Sequence, residues 1–135
     1  MIEMTLEIAQ RAALAALAKA GEIKKPMSVT VVDEGGRLVV ALRGDGTGFL
    51  TTETSRAKAV AAASFKRATL EMVELQKTNP FWSAVPAVTR GEALPTGGAV
   101  PILLNGRVIG GIGCGGGTPE EDHVCAMAGA AIAQA

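Results

Sequence analysis

Apolar residues recur along this chain with two different periods, and the changes of period mark its elements. Leu6, Ala9, Ala13 and Leu17 fall at helical spacing, which predicts a first helix over Thr5–Ala20, capped by Thr5 and stopped by Gly21. Pro26 separates it from two apolar runs, Met27–Asp33 and Arg37–Arg43. Glu34-Gly35-Gly36 joins these runs, so they read as a hairpin, and Gly44–Gly48 closes it in a flexible loop. A second helix starts at Thr51 or Thr52 and runs to Phe65. Its Ala57, Val60, Ala61 and Ser64 make a narrow face of small residues that lets a helix lie close on a sheet. Ala68–Lys77 reads as a further helical piece, broken by Asn79-Pro80. Phe81–Leu94 reads as a loop with a short strand at Ala84–Val88.

The C-terminal third carries the sharpest signals. Val100, Ile102 and Leu104 alternate on one face of a strand. Asn105-Gly106 follows, the pair suited to a type I′ turn because both central residues need positive φ. The return strand, Val108–Ile112, holds Gly110 and Gly111, and glycine inside a strand marks a bulge or a close approach of backbone or ligand. The run Gly113–Gly117 leads into Thr118-Pro119-Glu120-Glu121, which reads as a capping box opening a last helix to Ala133. Two hairpins separated by helices imply a mostly antiparallel sheet of about five strands with helices packed against it, an α+β fold.

At 135 residues the chain is expected to be one domain over 1–135. Only 3% of it is aromatic and it has no tyrosine, so the core must be built from small aliphatic side chains. Such a domain gains stability by assembling, and a homo-oligomer is expected. Thirteen basic and thirteen acidic residues cancel, so charge points neither to nucleic acid nor to an anionic membrane. The first residues, MIEMTLEIAQ, lack the basic and apolar regions of a secretory signal, and no stretch reaches the ~20 apolar residues that span a bilayer. The expected location is the cytoplasm.

Few residues carry chemistry. Asp33 and Arg43 belong to opposite strands of the first hairpin and read either as a cross-strand ion pair or with Arg43 as a carboxylate clamp. Lys58 sits between Ala57 and Ala59: on a solvated face it is inert, and turned inward it is an anion ligand or an amine of lowered pKa. The glycine run, with Gly113 and Gly115 flanking Cys114, is either a tight connection or a cradle whose bare N–H groups meet an anion at a helix start. That helix start lowers the Cys114 pKa if the thiol faces it; a buried, inert cysteine is the other reading. Cys114, His123 and Cys125 fit no standard zinc spacing. His123 is the one imidazole available to a metal such as haem iron.

Four pieces together resemble the GlcG/HbpS, or haem-degrading, family, which includes the C-terminal domain of PduO-type proteins. They are Val31-Val32-Asp33-Glu34-Gly35-Gly36-Arg37-Leu38 with Arg43 and Asp45; Lys58-Ala59; Gly97-Gly98-Ala99-Val100-Pro101-Ile102; and Gly106 to Gly115 with Asp122. The resemblance covers nearly the whole chain. It implies a small domain of profilin-like shape, usually oligomeric, whose relatives bind haem or accompany catabolic enzymes. Asp33, Arg43, Lys58, Gly98, Gly113, Cys114 and Gly115 are the expected ligand-binding positions, and His123, as the one imidazole of the chain, is the expected metal ligand. Cys114 stands where serine is usual, and the first helix has no histidine. The primary expectation is a small-ligand-binding oligomer, for haem or another small anionic molecule. The alternatives are an enzyme or enzyme accessory acting on a small oxo- or hydroxy-acid through Arg43 with Cys114, Asp33 or His123, and a scaffolding subunit without a pocket.

Overall fold

The computed structural model describes residues 2–133. In chain order the elements are α1 (Leu6–Glu22), β1 (Ser28–Asp33), β2 (Leu38–Arg43), α2 (Thr51–Phe65), α3 (Thr69–Gln76), α4 (Phe81–Val88), β3 (Ala99–Leu104), β4 (Arg107–Gly115) and α5 (Pro119–Ala133). The strands form one antiparallel sheet in the order β2-β1-β4-β3. The two hairpins therefore meet through β1 and β4, leaving β2 and β3 as edges.

Local chemistry sets most boundaries. Thr5 caps α1, its hydroxyl accepting from the Ile8 amide at 3.1 Å. Asn105 and Gly106 take φ of 52° and 77°, as a type I′ turn requires. Thr118 and Glu121 complete the capping box of α5: the Thr118 amide donates to Glu121 Oε1 at 2.8 Å, and the Glu121 amide to Thr118 Oγ1 at 3.2 Å.

Three sequence expectations are corrected. The sheet has four strands instead of about five, because Ala84–Val88 lies within helix α4. Pro86 lies inside this helix, where proline is locally unfavourable. Burial decides otherwise: Trp82 and Val85 on α4 pack with Ala61 and Met72, and Trp82 meets Phe65 edge-on at 4.9 Å. Helix α1 also runs through Gly21 to Glu22, and Lys24, with φ 58°, takes the left-handed position assigned to that glycine. Finally, the face of α2 that lies on the sheet is Ser55, Ala59 and Ala63 instead of Ala57, Val60, Ala61 and Ser64: Ala61 is buried under α3 and α4, and Ser64 is exposed.

Side chains of the central strands go to opposite faces. Val29, Val31 and Ile112 join Ala9, Ala12, Ala13 and Ala16 of α1 and Ala126 and Ala130 of α5 in the main core. On the other face Val32 meets Ala59 and Ala63 of α2, and Thr30 Oγ1 lies 2.8 Å from Ser55 Oγ. Here the strand glycines find their reason. α2 lies so close on β4 that a methyl group on Gly111 would stand 2.5 Å from the Ala59 carbonyl oxygen, and one on Gly113 would strike that of Ser55.

Gly111→Ala should therefore lift α2 off the sheet and cost about 1–3 kcal/mol. Gly48→Ala, where an added methyl meets open space, should change stability by no more than about 0.5 kcal/mol. Urea denaturation of the two variants against the parent checks the contrast.

Candidate functional site

Three of the four sequence-marked pieces, those holding Lys58, Gly98 and Cys114 with Asp122, converge at the beginning of β3. Ser55, Lys58, Ala59 and Ala62 share the inward stripe of α2, so Lys58 is turned to the interior and is only 5% exposed. The solvated position is overturned: helical phase, not flanking residues, sets its direction. Its ammonium donates to Asp122 Oδ2 at 3.1 Å and to the Gly97 carbonyl at 3.3 Å. Asp122, 4% exposed, takes a second bond at Oδ1 from the Gly117 amide at 2.9 Å. α2 and α5 cover opposite faces of the sheet, and this ion pair joins them past the end of β3. Gly98 makes the passage possible. At φ 133° it carries no side chain where a Cβ would stand 2.7 Å from both Lys58 Nζ and Asp122 Cβ.

Cys114 adjoins the pair, its amide donating to the Gly98 carbonyl at 2.8 Å. Burial, aided by Cys125 and Asp122, pushes its thiol far above the ordinary range, and the Lys58 charge does not offset this. Burial likewise raises Cys125 to about 11. Both are free thiols held protonated, so Cys114 is not the activated thiolate of the helix-start reading.

The glycine run is not an open cradle. Gly113 and Gly115 belong to β4 beneath α2, and the Gly117 and Thr118 amides already serve Asp122 and Glu121. The helix start is satisfied by the protein's own carboxylates. Arg43 does not approach it: β1 intervenes, with Ser28 opposite both Arg43 and Gly115. Arg43 is exposed and donates to the Thr47 carbonyl at 3.4 Å. Nor does it meet Asp33. The register puts them at opposite ends of the hairpin, and Asp33 Oδ1 accepts from the Gly35 and Arg37 amides, both at 3.0 Å, holding the turn. Lys58, Gly98 and Cys114 are thus brought together, and Arg43 and Asp33 are not.

Sequence reasoning missed two features. Asp122 stands in the motif that carries the resemblance but not among the expected ligand-binding positions, because its partner Lys58 lies 64 positions away. The second is a cleft of about 400 Å³ between β3 and α5, lined by Ala68, Val100, Pro101, Leu103, Met127, Ala130 and Ala131. Its signal was the run Val124–Ala133, which has no charged residue, so α5 is apolar beyond the face the core needs. Met127 is 51% exposed there. His123 lies one turn earlier on the same stripe, half-buried, and its buried Nδ1 has no hydrogen-bond partner among the described residues.

The family described as "Haem degrading protein HbpS-like" matches residues 4–131. An uncharacterised 15.0 kDa protein in the dhaT-dhaS intergenic region of Citrobacter freundii is 32% identical over 91% of this chain and 87% of its own length. The crystal structure of a double mutant of Streptomyces reticuli HbpS superposes with a TM-score of 0.86 at 32% identity, covering 98% of this chain and 88% of that one. The crystal structure of a PduOC–haem complex gives a TM-score of 0.86 at 25% identity, over 97% of this chain and 95% of that one.

Two outcomes test the cluster. Lys58→Met strands a buried carboxylate and should cost about 3–5 kcal/mol in urea, while Lys58→Met with Asp122→Leu should recover most of it. Alkaline stability should also fall. An unfolded thiol ionises near 9.0 whereas Cys125 holds its proton to about 11, so the unfolded state binds fewer protons in that window. The stabilisation is complete below pH 9.0 and is lost on rising towards 11. Cys125→Ala should flatten that slope in denaturation curves recorded across it.

Proposed function

Because the chain belongs to the HbpS-like haem-degrading family, we propose that it is an oligomeric small-ligand-binding protein whose ligand is haem. The observation that carries the reading is the likeness, over nearly the whole fold, to a domain crystallised with haem. The cleft between β3 and α5 suits the group: its lining is uncharged, and apolar walls of this size match a ligand that is largely hydrocarbon. Val100, Pro101 and Leu103 would hold one side of the ring and Met127 and Ala130 the other. When bound, haem supplies an iron centre whose reactivity depends on its axial ligand and the polarity around it.

The buried ion pair has a supporting role in this reading. It positions the first turn of α5, and so the stripe that lines the cleft. Subunits would meet on the outward apolar side chains of α1 and α5, among them Leu14, Val124 and Ile132, which are exposed. A place beside catabolic enzymes, as the resemblance implies, completes the proposal. The oxo- or hydroxy-acid enzyme gains no support, since its residues are dispersed or held unreactive.

Titration with hemin should give a saturable Soret change at one site per chain, and light scattering at micromolar concentration a mass above that of one chain. The absence of any saturable Soret change would end the haem reading. A purely monomeric peak would end the oligomer.

A further inference from the structure

Resting on the haem reading, we infer that the β3–α5 cleft recognises the porphyrin ring and not its iron. The inventory of possible iron ligands in this chain is short. Haem iron takes His, Cys, Met or Tyr, and the sequence has one histidine, two cysteines, five methionines and no tyrosine. Cys114 and Cys125 are wholly buried in the core. Met4, Met27 and Met72 are buried as well, and Met1 lies outside the described residues.

His123 is near the cleft but wrongly furnished. An imidazole that binds iron through Nε2 must carry its proton on Nδ1, and such a ring normally donates that N–H to a carbonyl or carboxylate. The Nδ1 of His123 is buried and meets no acceptor among the described residues. A ring bound to iron through Nε2 would therefore carry a buried N–H with nothing among the described residues to receive it, at the cost of an unmet donor. What remains on the cleft itself is the Met127 thioether, a weak ligand by comparison. The apolar lining, in contrast, meets the face of the macrocycle whether or not a metal occupies its centre.

The test is a parallel titration of the full chain with hemin and with metal-free protoporphyrin IX. The two dissociation constants should agree within about threefold, a small free-energy difference. His123→Ala should change neither. Met127→Glu, which puts a carboxylate against the ring, should weaken both by about tenfold or more. Met127→Leu should leave both within about threefold. Phe49→Glu, on an exposed residue outside the cleft, should have no effect. Hemin bound more than about tenfold tighter than protoporphyrin, with that advantage lost in His123→Ala, would overturn the inference while the haem reading stands. Equal binding that ignores Met127→Glu would also overturn it, since the ring then sits elsewhere. Binding of neither porphyrin would refute the haem reading and this inference with it.

Discussion

The ion pair between Lys58 and Asp122 is the constraint on which the arrangement of layers depends. A lysine and an aspartate each lose several kcal/mol of hydration on burial, and only good geometry with further hydrogen bonds recovers it. Both conditions hold here. The carboxylate receives the ammonium on one oxygen and a backbone amide on the other, while the ammonium has a carbonyl besides. The partners come from helices on opposite faces of the sheet, so the pair fixes α2 relative to α5. Neither helix can slide without stranding a charge in the interior, a specificity that apolar contacts among alanines lack.

Much of the glycine content follows from the same packing. The pair passes the end of β3 because Gly98 leaves the passage open, and α2 reaches the sheet because β4 presents Gly111 and Gly113 to it. With so few aromatic residues, large side chains cannot fill a wide gap between layers. The chain brings the layers together instead, matching alanine on helices with glycine and valine on strands. Where it does use aromatics, at Phe65, Phe81 and Trp82, they hold the outlying α3–α4 segment to α2.

What could be read from the sequence divides along a physical line. Local devices were legible: the Thr5 cap, the Asn105-Gly106 turn, and the Thr118–Glu121 box depend on residues a few positions apart. The α4 helix was not, because Pro86 speaks locally against it and burial of Trp82 and Val85 speaks for it from a distance. The direction of Lys58 was hidden because both flanking residues are alanine, and its partner is far along the chain. Arg43 and Asp33 were placed together by counting across a hairpin, where the register sets them at its two ends. Glycine-rich segments were the most ambiguous. The same absence of side chains serves an anion cradle and a close helix, and only the position of α2 separates the two.

The anchoring of α5 also bears on the ligand. Asp122 must point inward to meet Lys58 and the Gly117 amide, which sets the rotation of the helix at its first turn. One residue later, about 100° around the axis, His123 is carried sideways to a half-buried position. Its orientation follows from the demands of the neighbouring aspartate. That is why its ring has a buried nitrogen with no acceptor, although an imidazole positioned to bind a metal is normally oriented by one. The same rotation, continued along the uncharged run from Val124, puts Met127 and Ala130 on the cleft and Ala126 and Gly129 in the core. One buried carboxylate thus determines both what α5 contributes to stability and which apolar surface it leaves for a ligand.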